Sequence, residues 1–209
     1  MRILINTLFL LCILLTSGCK EDEYVYPSVL TEFTDIRSDK SGKLSEIISD
    51  NGNKYIINER TGLEGFTPDS VYRTLSIFEP EESNKATLYS CQFVFSMKPQ
   101  PADFFKNGIK TDPLDIQRIW QSGNYINMVL TIQGKDKPHV FHFVEEGISD
   151  NTLSITIYHD QNGDYKAFGK DVYISIPLWQ YDGILNKGDK IKVNINTFKE
   201  GMTFREFEF

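Results

Sequence analysis

The side chains that could do chemistry are few and scattered. His139, His142 and His159 are the only three histidines, and a zinc site would need several such ligands to converge. His139 and His142 stand three apart in a segment patterned as a strand, which sends them to opposite faces, so no metal site is expected. Asp160-Gln161-Asn162-Gly163-Asp164 superficially suggests calcium, but an EF-hand places its glycine sixth and a glutamate twelfth. Here Gly163 is fourth and the twelfth residue is Asp171, so a hairpin turn with Asn-Gly chemistry is the better reading. Glu206 and Glu208 share one face of a terminal strand and could imitate a catalytic carboxylate pair. Glycosidase carboxylates instead flank the substrate about 5 to 9.5 Å apart, commonly with one in an apolar setting, so a solvated strand face fits these two better. No Gly-x-Ser-x-Gly elbow, phosphate-cradling glycine loop or His-Glu-x-x-His helix occurs. The expectation is a non-enzymatic binding or accessory protein without a cofactor, the rival being a hydrolase that uses Glu206 or Asp164.

Aromatic side chains, 13% of the chain, are the remaining material for a site. Trp120, Trp179, Tyr173 and Tyr181 could form a stacking surface for sugar rings, and Tyr55 and Tyr72 could line the open face of a small barrel. Core packing is the commoner fate of large rings in small domains and is expected for Trp120. Trp179 follows Pro177-Leu178 near a strand end, which favours exposure. Trp179, Tyr181, Tyr173 and Tyr72 are therefore the ligand-binding candidates, for a glycan, a peptide or a partner protein.

The elements that must hold these residues are strands. Only three alanines occur (Ala86, Ala102 and Ala167), an unpromising supply of the best helix former. Lys and Arg total 22 against 29 Asp and Glu, a net charge of −7; without a basic cluster that balance disfavours nucleic acid as a partner. Period-two alternation runs through Ile126–Ile132, Phe141–Phe143, Leu153–Tyr158, Val172–Ile176 and Ile191–Ile195, separated by Gly-, Asn- and Asp-rich turns, as in a sandwich or barrel. The first half has the same grammar, with strands near Val29–Ile36, Leu44–Ile48, Lys54–Ile57, Val71–Phe78 and Leu88–Met97, enough to close a small barrel. Alternation in the last of these places Cys91 with Tyr89, Phe93, Phe95 and Met97 on one buried face. Pro99-Gln100-Pro101 should stop ladder pairing and act as an extended linker, dividing the chain into 29–98 and 104–209. Asp112-Pro113 suits either one helical turn or the start of an edge strand.

The N-terminus is an address. Arg2 precedes an apolar run from Ile3 to Leu15, shorter than the about 20 residues of a membrane span and typical of a secretory signal. It ends in Leu14-Leu15-Thr16-Ser17-Gly18-Cys19, which resembles a bacterial lipobox with Thr16 in place of the usual leucine. Residues 1–18 are expected to be a signal peptide, Cys19 the lipidated residue, and 19–28 a charged tether to the membrane; multiple acyl chains make such an anchor effectively permanent. Lys20-Glu21-Asp22 resembles the lysine-then-acids tag that sends lipoproteins of certain Gram-negative gut anaerobes to the cell surface. An outer-membrane lipoprotein facing outward is the expectation, with a periplasm-facing one as the alternative. Cys12 leaves with the signal and Cys19 is acylated, so Cys91 has no partner for a disulfide.

Several stretches together resemble the NigD-like lipoproteins: the lipobox, Tyr24–Phe33, Asp69–Arg73, Asp112-Pro113, Ile119–Asn127 and His159–Asp164. The similarity spans almost the whole mature chain. It implies an all-β protein with an N-terminal OB-type barrel followed by a C-terminal antiparallel β-sandwich. The family is named for a bacteriocin-associated locus, which implies an immunity or accessory role as a further alternative, and it supplies no catalytic residues.

Overall fold

The computed structural model describes residues 28–209; the expected signal peptide, Cys19 and most of the expected tether lie outside the described residues. The strands are β1 (Leu30–Ser38), β2 (Leu44–Ser49), β3 (Lys54–Ile57), β4 (Val71–Glu81), β5 (Lys85–Phe93), β6 (Phe95–Ser96), β7 (Gln100–Pro101), β8 (Asp115–Ser122), β9 (Tyr125–Gly134), β10 (Val140–Ser149), β11 (Thr152–Asp160), β12 (Phe168–Pro177), β13 (Lys190–Thr197) and β14 (Gly201–Glu208). Three short 3-10 turns are the remaining regular elements among the described residues. The protein is all-β.

Strands β1 to β5 close into a barrel in the order β1-β2-β3-β5-β4, with β3 and β5 parallel and the other pairs antiparallel. Closure leaves no strand edge to pair with another chain. Inward-facing Ile36, Leu44, Ile47, Ile57, Phe78, Ala86 and Leu88 fill it. One layer is polar: Thr34, Thr74 and Ser76 are buried and satisfy one another through hydroxyl contacts of 2.7 to 3.1 Å, as buried hydroxyls must.

The second unit is a sandwich of a five-stranded sheet, β14-β13-β11-β10-β7, and a four-stranded sheet, β6-β12-β9-β8. The alternating positions read from the sequence form its core: Ile126, Met128, Leu130 and Ile132 on β9, Leu153, Ile155 and Ile157 on β11, Ile174 and Ile176 on β12, and Ile191, Val193 and Ile195 on β13.

Two local readings change and one is decided. The alternation of residues 89–97 does not describe one strand. A bulge puts Tyr89 as an extra residue between the pairs Phe78↔Leu88 and Ile77↔Ser90, and an extra residue flips the faces beyond it. Tyr89 is exposed at the bulge; beyond it Cys91 and Phe93 pair with the buried Ser76 and Thr74, Cys91 half-buried against the barrel core and Phe93 exposed beside Phe66 and Tyr72, while Phe95 and Met97 pack against the sandwich core. The Pro99-Gln100-Pro101 stretch is paired rather than a free linker: Gln100 and Pro101 align with Val144 and Glu145 at a sheet edge, a position that tolerates proline's missing N–H. Of the two readings of Asp112-Pro113, the entry to an edge strand is the one the fold uses: the segment leads into β8, which begins at Asp115 on an edge of the four-stranded sheet, with Thr111 and Leu114 bridging to His159 and Thr197.

Candidate functional site

The outward face of the four-stranded sheet is not free. Tyr125, Asn127 and Val129 alternate with core residues on β9, Tyr173 and Ser175 with core residues on β12, and Trp120 and Ser122 lie beside them on β8. The barrel packs on this face through Arg73 of β4 and Asp50 of the turn after β2. Arg73, with its side chain 3% exposed, clamps Asp50 with both guanidinium arms at 2.6 and 2.8 Å. It also donates to Asn127 Oδ1 at 2.9 Å and to Ser175 Oγ at 3.3 Å, crossing from barrel to sandwich. Asp50 Oδ2 in turn accepts from Ser122 Oγ at 2.5 Å and Asn127 Nδ2 at 3.1 Å. The Tyr125 ring lies 3.8 Å from the Arg73 guanidinium carbon. Gly123 completes the seam: it has φ +52°, and a Cβ there would stand 2.8 Å from the Asp50 carbonyl oxygen, a contact no side chain tolerates.

Two clefts border this seam. The first, of about 450 Å³, takes Thr31, Glu32 and Phe33 from β1, Leu75 from β4, Asp50 and Asn51 from the turn after β2, Arg118, Trp120 and Ser122 from β8, Val129 from β9 and Tyr173 from β12. That volume falls within the usual range for small-ligand sites. Phe33 meets Trp120 edge-on with centroids 5.1 Å apart and lies 6.1 Å from Tyr173, so three rings share one wall. The Arg118 guanidinium stacks 4.5 Å from the Trp120 centroid, and among the described residues no carboxylate lies within 4.0 Å of it. Aromatic faces, a stacked cation and Glu32 in the lining suit a ligand with both ring surfaces and polar groups. The second cleft, of about 530 Å³, is walled by Arg73, Tyr125, Lys98 and Trp179 among others.

The four binding candidates do not converge. Tyr173 is in the first cleft and Trp179, 43% exposed, in the second. Tyr181 is not available to a ligand: it is 3% exposed within the sandwich core, and its hydroxyl donates to Glu145 Oε2 at 2.7 Å. Burial, helped by Glu145, pushes its phenol far above the usual range. Tyr72 packs beside Phe66 and Phe93 and its hydroxyl accepts the Thr67 N–H, so it is spent on the barrel wall; Tyr55 packs on Phe78. Trp120, expected in a core, belongs to neither core and lines the first cleft. Arg118, Arg73, Asp50 and Asn127 had no signal in the sequence beyond their alternation with apolar neighbours.

The polar groups weighed as catalysts are occupied elsewhere. Burial opposes the charge on Asp164, but backbone N–H groups of Lys135, Lys137, Asp136 and Tyr165 outweigh it and hold the carboxyl well below the usual range. Asn162 and Gly163 have φ of 55° and 63°, the turn backbone expected of Asn-Gly. The turn is no hairpin, however, because β11 and β12 lie in opposite sheets. His139 Nδ1 lies 2.8 Å from His159 Nε2, and His159 Nδ1 donates to the Asp112 carbonyl at 2.8 Å. Among the described residues no cluster of His, Cys, Asp and Glu could hold a metal ion. Glu206 points to solvent on β14, 3.9 Å from Lys190.

Residues 95–209 match the family model of the NigD-like C-terminal beta sandwich domain. Among solved structures, a NigD-like immunity protein from Bacteroides caccae is 31% identical, with a TM-score of 0.74 over 89% of this chain and 99% of that one. A protein of unknown function from Bacteroides vulgatus shares the fold at 16% identity and TM-score 0.68, over 87% of this chain and 91% of that one. A candidate lipoprotein from Bacteroides fragilis does so at 12% identity and TM-score 0.61, over 87% of this chain and 97% of that one. No curated protein matches the chain.

Proposed function

The chain belongs to the NigD-like family, and from that footing we propose that it is a membrane-anchored, non-enzymatic binding protein that takes a glycan in the first cleft between barrel and sandwich. The observation that carries this reading is the wall of Phe33, Trp120 and Tyr173 in that cleft. Sugar rings stack on such faces through their apolar C–H surfaces, while Arg118, Glu32 and Ser122 offer partners for hydroxyl groups. The seam supports it, because a site built across two units binds well only when both are held in place. In this reading the lipid on Cys19 holds the protein on the outer membrane and Lys20-Glu21-Asp22 directs it outward. Asp164, fixed by backbone amides, and Glu206, solvated on β14, are poorly suited to paired acid–base work, which favours binding over hydrolysis.

The test is a glycan array probed with the full chain in non-ionic detergent, alongside Trp120→Ala. Binding that the substitution weakens at least tenfold supports the reading; hits that Trp120→Ala leaves unchanged, or no hits, overturn it. A second reading rests on the Bacteroides caccae relative, described as an immunity protein: the ligand is then a toxin protein. Deleting the gene should sensitise cells to that toxin, and unchanged sensitivity would remove this alternative.

A further inference from the structure

The second cleft shares no lining residue with the first, and its charged groups differ in what already engages them. Arg73 is committed to Asp50, Asn127 and Ser175. Asp35, the carboxylate on this wall, accepts from Arg73 Nη1 at 3.3 Å and from Tyr125 Oη at 3.2 Å. Arg37 pairs with Glu46 at 3.3 Å, with its side chain 51% exposed, where a pair is weak and exchanges readily with water or another anion. Lys98 is different: among the described residues no carboxylate lies within 4.0 Å of its ammonium. Lys98 is exposed to the cleft, so its ammonium is held by no carboxylate and is open to an anion arriving there.

Its position is built. Strand β6 pairs in parallel with β12, Ser96 opposite Ser175. Lys98 leaves the end of one strand and Trp179 the end of its neighbour, and they meet with the ammonium 4.6 Å from the indole centroid. Pro99, buried just after Lys98, fixes the backbone direction there. The same contact covers one face of Trp179 with a cation, as Arg118 does for Trp120 in the first cleft.

We propose that the second cleft binds an oxyanion carried on a sugar ring, with Lys98 and Arg37 pairing to the anion and Trp179 flanking the ring. A carboxylate, a sulfate and a phosphate share that chemistry, and a single small anion avoids the repulsion that a polyanion would meet from the chain's overall charge.

The two tryptophans make the test direct. Trp120→Phe leaves Trp179 as the sole indole, and its emission reports this cleft whether or not the first cleft binds anything. The full chain in non-ionic detergent is titrated with glucuronate, glucose 6-sulfate, glucose 6-phosphate and, as the neutral control, glucose, at low and at physiological salt. At least one of the anions should give a saturable change that glucose does not, that weakens at higher salt, and that Lys98→Gln weakens about tenfold, a loss of about 1.4 kcal/mol. Because Lys98→Gln also alters the surroundings of Trp179, its affinity is checked by calorimetry. Saturation with none of the three anions, an equal response to glucose, or calorimetric binding unchanged in Lys98→Gln would overturn the proposal.

Discussion

Arg73→Ala is the most informative single substitution in the seam. It removes both guanidinium bonds to Asp50 and the bonds to Asp35, Asn127 and Ser175, leaving the Asp50 carboxylate with Ser122 and Asn127 as its donors and Asp35 with Tyr125. An exposed ion pair is worth about 0 to 1 kcal/mol, but breaking a buried pair by removing one partner costs about 3 to 5 kcal/mol because the other charge stays desolvated. For a chain of this size that corresponds to a fall in Tm of about 6 to 20 °C. Scanning calorimetry of wild type, Arg73→Ala and Arg73→Met/Asp50→Leu measures it. The double variant should recover part of the loss, since it removes the Asp50 charge and fills the space with apolar atoms, while Asp35 is left with Tyr125 as its donor. A loss for Arg73→Ala below about 1 kcal/mol, within the range of surface pairs, or a double variant less stable than Arg73→Ala, would refute the reasoning.

Other consequences are as specific. Gly123→Ala forces a Cβ against the Asp50 carbonyl at positive φ, so calorimetry should show destabilisation, whereas Gly188→Ala, strained but open, should lose less. Burial, reinforced by the nearby His139, lowers the His159 pKa below its ordinary 6.5; the unfolded chain then takes up the proton first, so stability is full above about 6.5 and declines as pH falls below it. Denaturant titrations at neutral and mildly acidic pH should show that decline, flattened in His159→Gln. The Asp164 carboxyl is depressed in the folded state, so its contribution is present above its ordinary value of 3.8 and fades as pH drops through and below it; the stability gap between wild type and Asp164→Asn should close in acid. Burial raises the Cys91 thiol, so alkylation near neutral pH should be slow in the folded protein and fast in denaturant.

The fold was legible where burial follows alternation. Leu153, Ile155 and Ile157, or Ile191, Val193 and Ile195, can bury a face in only one way, and they do. The bulge at Tyr89 was not legible, because an inserted residue leaves the composition of the strand intact while inverting its faces. The site was hidden for a different reason. Asn127 sits between Ile126 and Met128 in a pattern that reads as a half-buried strand with a solvated face, yet it is fully buried because the barrel covers that face. Arg73 and Asp50 are 23 residues apart and meet only when the barrel closes, and Arg73 and Asn127 are 54 apart and meet only when the barrel packs on the sandwich. Trp120 was misplaced by the same omission: large rings go to cores by default, and a cleft between two units is neither core nor open surface.

The most direct test of the proposed function is whether a bound glycan touches the first cleft. In Trp179→Phe, Trp120 is the sole indole, and titration with an array hit should change its emission saturably, with Tyr173→Ala weakening the affinity about tenfold. A hit that binds by calorimetry while Trp120 emission stays flat, or one that Tyr173→Ala leaves equally tight, would place the ligand elsewhere and contradict the account.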